Sequence, residues 1–141
     1  ADVENAKLGL GPAAGGAVRL GGSGPRVETC EGIETGLAIW VMLACKRPVF
    51  CCLSTSGVVG VEFPLDVESV RHWPDGDVPL KLVGDVYVPV ACGAGVRAAR
   101  SLGERLKQSN IRFVMNEIPG ASLVKADYLN VLNVATEIGA R

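Results

Sequence analysis

The chain has 141 residues, 48% apolar and 21% charged, and 14 Lys and Arg against 15 Asp and Glu give a formal net charge of −1. That is one domain's worth of polypeptide, too apolar and too nearly neutral for global disorder and without the charge excess of a polybasic nucleic-acid wrapper. The longest apolar helical run, Leu37–Cys45, has nine residues where a membrane span needs about 20, so no membrane partner is expected.

In chain order, residues 1–26 are Gly-rich and lack helical periodicity, with one short extended piece around Ala17–Leu20. The start at Ala1, without Met, reads as a processed or excised fragment. From Val27 the pattern becomes regular. Val27–Cys30 predicts a short strand, Glu31-Gly32 a sharp turn, and Glu34–Cys45 a helix with Leu37, Val41 and Ala44 at helical spacing. Lys46 and Arg47 suit that helix's C-terminal end, and Pro48 stops it. Val49–Leu53 is apolar enough for a strand covered on both faces. Ser54–Gly60 predicts a small-residue turn, followed by a short helix or loop around Val61–Pro64.

Glu68–Trp73 is a third predicted strand and Pro74–Asp77 a turn. Val78–Gly95 reads as an insertion, a hairpin or ordered loop turning at Gly84-Asp85. Val96–Gln108 is a helix with Val96, Ala99, Leu102 and Leu106 on one face. Ile111–Met115 is the fourth strand and Tyr128–Thr136 a last helix. Strands alternating with helices through short loops predict an α/β domain, Rossmann-like, with about four mostly parallel strands flanked by helices.

The five cysteines, an odd count without regular spacing, suit a reducing compartment, and a cytoplasmic location is expected. Cys51 and Cys52 are neighbours, and neighbouring strand residues point to opposite faces, so they read as buried strand rather than as a metal or redox pair. His72 is the chain's single histidine and is read as structural; a His-rich zinc site is excluded. Gly15-Gly16 and Gly21-Gly22 lack the strand–Gly loop–helix context of ATP or dinucleotide folds. Ser54–Gly57 is read as a plain turn ahead of a phosphate site, and the basic side of Arg97, Arg100, Arg105 and Lys107 as solvated helix surface.

Ligands of open α/β sheets bind beyond the C-terminal ends of the strands. The acidic residues that fall there are Glu31, Asp75 and Asp77, with Asp127 near the start of the last helix. Clustered carboxylates repel one another and call for a cation, and Mg²⁺ takes one or two carboxylates plus waters and phosphate oxygens. Asp75-Gly76-Asp77 brings two carboxylates within reach of one ion, and Glu31 is a further ligand or a proton carrier. The implied chemistry is metal-assisted phosphoryl transfer.

The order strand, Glu-Gly, helix, strand, Leu53–Gly57 turn, strand, Asp-x-Asp resembles a Toprim domain, the metal-binding module of bacterial-type primases, topoisomerases and OLD-type nucleases. Gly15–Leu20, Cys30–Ala38, Asp75–Asp77, the Gly95–Leu106 helix and Lys125–Leu132 are most similar to the Toprim domains of phage- and plasmid-type primases and primase-helicases. The resemblance implies that Glu31 is the catalytic acid or base and a metal ligand, and that Asp75 and Asp77 coordinate Mg²⁺ or Mn²⁺. It matches Asp127 to the acidic residue of the C-terminal primase-like signature, a further metal ligand, and allows Glu34 a supporting place. It implies DNA primase activity, making RNA primers on single-stranded DNA from nucleoside triphosphates, with a replicative helicase domain or protein as partner. The alternatives are a Toprim nuclease and a degenerate nucleic-acid-binding module. On this reading residues 1–26 are the end of a preceding lobe, residues 27–141 are the Toprim domain with its insertion near 78–95, and the fragment by itself is a poor or inactive primase. Three departures stand out: Trp73-Pro74 interrupts the run into Asp-x-Asp, Asn130 occupies a position where the family commonly has Asp, and the Val78–Gly95 insertion is longer than in compact Toprim domains.

Overall fold

The computed structural model describes residues 13–75, 80–89 and 93–116. Its elements are β1 (Val18–Leu20), β2 (Arg26–Cys30), α1 (Ile33–Met42), β3 (Val49–Cys51), α2 (Thr55–Gly60), β4 (Ser69–Trp73), β5 (Leu80–Val83), β6 (Val86–Pro89), α3 (Ala94–Gln108) and β7 (Arg112–Met115). The main sheet has five strands in the order β1-β3-β2-β4-β7. β3, β2, β4 and β7 run parallel, and β1 pairs antiparallel with β3 at the edge. The α/β sheet is therefore one strand larger than the four expected, because the short extended piece near Ala17–Leu20 joins it. The expected helix at Tyr128–Thr136 lies outside the described residues.

Alternation along each strand divides the core in two. Val27, Phe50, Cys52 and Val70 face α2 and α3 and pack with Val58, Val61, Leu102 and Leu106. Cys30, Val49, Cys51 and Trp73 face the other way and pack with Ile39 of α1. Cys51 and Cys52 thus point into opposite layers. The thiols of Cys30, Cys51 and Cys52 are buried and free. Its hydrogen bond with Cys51, then burial, push the Cys30 thiol well above its usual range. Burial, reinforced by Cys51 and Glu31, raises Cys52 to about 12. Both thiols stay protonated at neutral pH, which suits packing and not metal binding.

Two elements, α1 and α2, differ from the sequence reading. Leu37 and Val41 do not form the inner face of α1; they are 44% and 58% exposed, while Thr35, Gly36, Ala38 and Ile39 are buried. The sheet approaches so closely that a Cβ on Gly36 would lie 2.2 Å from Cys51 Sγ, so small residues define the contact face. Helix α1 also ends at Met42 rather than Cys45, because Ala44 and Cys45 take positive φ values of 52° and 57° and turn the chain. The stretch read as a turn at Ser54–Gly60 contains α2, whose first turn is closed by Gly57 N–H donating to Ser54 Oγ at 2.9 Å. Within the stretch read as an insertion, β5 pairs with β6 in a hairpin turning at Gly84-Asp85, with Gly84 at φ 63°.

His72 is buried in β4, and its Nδ1 lies 2.9 Å from the hydroxyl of Thr29 on β2. Burial lowers its pKa from 6.5 to about 4. An unfolded histidine binds a proton near pH 6.5 and the native one only near 4, so stability falls as pH drops through that window. The loss from this residue is expected to reach about 3 kcal/mol by pH 4. Urea melts of the parent and of His72→Gln between pH 7 and 4 check it: the variant's curve should be the flatter one, and equal slopes would refute the linkage.

Candidate functional site

The topology sets apart one end of the sheet. From β2 the chain passes through α1, on one face, to β3; from β4 it continues through α3, on the opposite face, to β7. β2 and β4 are adjacent and parallel, with Cys30 paired to Trp73. The helices α1 and α3 of the two crossovers lie on opposite faces, which marks the topological switch point where open α/β sheets bind ligands. Glu31 is the first residue after β2, and Asp75 stands two residues after β4.

Backbone ties fix this end. Leu53 N–H donates to the Glu31 carbonyl at 2.7 Å, and Cys52 N–H to the Cys30 carbonyl at 2.9 Å. The Glu31 position is thereby held against the loop that follows β3. Asp75 is linked to α1, where the Thr35 hydroxyl donates to its Oδ1 at 3.4 Å, a long and weak bond. Gly32 is the N-cap of α1 and supplies no side chain to its free N–H groups, so the helix's positive end lies beside Glu31. Glu31 and Asp75 are each partly exposed, as residues that meet a substrate must be. Pro74 does not displace Asp75 from this edge: β4 ends at Trp73, and the Pro falls after the ladder, where its missing N–H has no strand partner to lose.

Of the four acidic residues singled out in the sequence, the structure brings Glu31 and Asp75 to adjacent strand ends, while Asp77 and Asp127 lie outside the described residues. Glu34 is exposed in the first turn of α1. Among the described residues no group of three or more His, Cys, Asp and Glu could hold a metal ion. Two carboxylates suffice for Mg²⁺ or Mn²⁺, which fill the remaining positions with water and phosphate oxygens, so the donor chemistry of Glu31 and Asp75 fits. No helix among the described residues is long and apolar enough to cross a membrane.

Two residues escaped the sequence reading. Thr35 orients Asp75; the strand–turn–helix geometry after Glu31 was its only signal. Asn116 lies at the same edge because its N–H bonds the His72 carbonyl at 2.8 Å, extending the β4–β7 pairing past Met115. Finding it required the strand order.

A family model described as Toprim domain matches residues 26–132. No curated protein and no solved structure matches the chain.

Proposed function

Because the chain belongs to the Toprim domain family, a metal-binding family of nucleic-acid-processing enzymes, we propose that it is the catalytic module of a DNA primase. On this reading it joins nucleoside triphosphates into RNA primers on single-stranded DNA. The observation that carries a transfer site is the arrival of Glu31 and Asp75 at adjacent parallel strand ends, at the switch point.

Mg²⁺ or Mn²⁺, held by Glu31 and Asp75 with Asp77 as a further ligand, would neutralise phosphate charge during transfer. Glu31 is the protein's proton carrier, accepting a proton from the attacking hydroxyl at its carboxylate. The positive end of α1 beside Glu31 favours anionic substrate groups at the same edge. The primase-like character of the Gly15–Leu20 and Ala126–Leu132 stretches favours primer synthesis over cleavage.

The test is incubation of the chain with single-stranded DNA, labelled nucleoside triphosphates and Mn²⁺. Short labelled oligoribonucleotides that require template, metal and Glu31 are the expected product, in the low yield of a poor primase. Metal-dependent cleavage of the DNA without nucleotides would instead assign the site to a nuclease. Metal-independent binding without either reaction would assign a non-catalytic module.

A further inference from the structure

The face of the sheet that carries α1 also carries a basic depression. Helix α1 packs on β3, β1 and β2. On the same face, β2, β4 and β7 form a depression of about 340 Å³. Its charged residues follow from register. Arg26 pairs with Ser69 and Ser69 with Arg112; one row further on, Glu28 pairs with Arg71 and Arg71 with Val114. Alternation sends these side chains to one face. Arg47 joins them from the connection between α1 and β3.

Glu28 is 1% exposed and organises the cluster. Its Oε1 accepts from Arg47 Nη1 at 2.8 Å and its Oε2 from Trp73 Nε1 at 2.6 Å, while Arg71 Nε lies 4.0 Å from Oε2. The one buried carboxylate is therefore taken up by Arg47 and Arg71, whose guanidinium groups it holds in place. Arg26 and Arg112 are exposed and form no ion pair among the described residues. The remaining acidic lining residue, Glu68, is exposed. Four arginines against two carboxylates make a local positive site in a chain whose net charge is −1.

We propose that this depression binds the phosphodiester backbone of single-stranded nucleic acid. The inference rests on the nucleic-acid reading of the preceding subsection but concerns a different place. Arg26, Ser69 and Arg112 are the first residues of their strands, at the opposite end from Glu31 and Asp75. Guanidinium forks match phosphate oxygens, and two strand spacings, about 10 Å, give room for one backbone. The described lining contains no aromatic ring on which a base could stack. Binding here is therefore electrostatic, indifferent to sequence and sensitive to salt.

Anisotropy of a labelled oligo-dT, measured in EDTA between 50 and 200 mM salt, tests the assignment. The parent chain should bind, and Arg26→Gln with Arg112→Gln should weaken binding at least about 10-fold and lower the salt slope by about 1.4. Arg26→Lys with Arg112→Lys should keep most of the affinity, which separates loss of charge from loss of fold. Parent-like binding by the Gln pair would overturn the proposal. So would binding that needs Mg²⁺ and is lost in Glu31→Gln with Asp75→Asn, although the functional reading would then stand. No oligonucleotide binding by the parent, with or without Mg²⁺, would overturn both. Equal competition by a poly-Glu peptide would reassign the depression to an acidic protein partner.

Discussion

Glu31→Gln is expected to lower metal-dependent nucleotidyl transfer by about 10²–10⁴-fold, the range lost with a positioned proton carrier. The fold should survive. What anchors residue 31 is its backbone carbonyl, which accepts from Leu53 N–H at 2.7 Å and is indifferent to the side chain. Residue 31 is partly exposed, and an amide of the same shape keeps its packing. Asp75→Asn should also reduce the rate, by acting on the metal. Asp75 is partly exposed, and Asn keeps an oxygen that can accept from Thr35, so the exchange should cost little stability. Steady-state rates over a range of Mn²⁺ concentrations separate the two: excess metal should restore part of the Asp75→Asn rate and little of the Glu31→Gln rate. Full activity in Glu31→Gln, in a preparation free of parent enzyme, would remove Glu31 from the chemistry.

The largest stability loss is expected from Gly57→Ala. A Cβ on Gly57 would lie 1.9 Å from the Cys52 carbonyl oxygen and 3.0 Å from its carbon. These are backbone atoms that no rotamer change can move. Cys52 N–H is bonded to the Cys30 carbonyl beside Glu31, so β3 cannot shift without disturbing the site. Helix α2 must therefore move away, taking Val58, which is 1% exposed, out of the core. The cost is about 3 kcal/mol or more, at the upper end of overpacking penalties, and the midpoint of thermal unfolding should fall by about 10 °C. A Cβ on Gly60, in the same helix, would meet no atom within 4 Å, so Gly60→Ala should leave the midpoint nearly unchanged. Thermal melts of both variants check the contrast, and equal midpoints would contradict the close approach of α2 to β3.

How far the sequence reached depended on the kind of signal. The parallel strands were legible because buried runs such as Val49–Cys52 alternate with helical periodicity. The hairpin turn at Gly84-Asp85 was legible because glycine there takes a left-handed conformation. The inner face of α1 was not. Periodicity favours the large residues Leu37 and Val41, but contact with Cys30 and Cys51 at Gly36 selects small ones. Helix α2 was hidden because two glycines and two serines within Ser54–Gly60 carry weak helical preference; a serine cap and the burial of Val58 outweigh it. In the site, Glu31 and Asp75 were readable as strand-end acids. The pairing of β2 with β4 that joins them was not, since adjacent strands here are distant in sequence. Glu28 shows the same limit: in Arg-Val-Glu-Thr-Cys nothing distinguishes a surface carboxylate from one buried against Arg47 and Trp73.

The most direct test is a calorimetric titration of the parent chain and of Asp75→Asn with Mn²⁺. If Glu31 and Asp75 form the metal-dependent site, the parent should give saturable binding and the variant should bind at least about 10-fold more weakly, as ligand-shell losses do. Identical isotherms for the two proteins would place the metal elsewhere and contradict a reactive centre at the β2–β4 switch point.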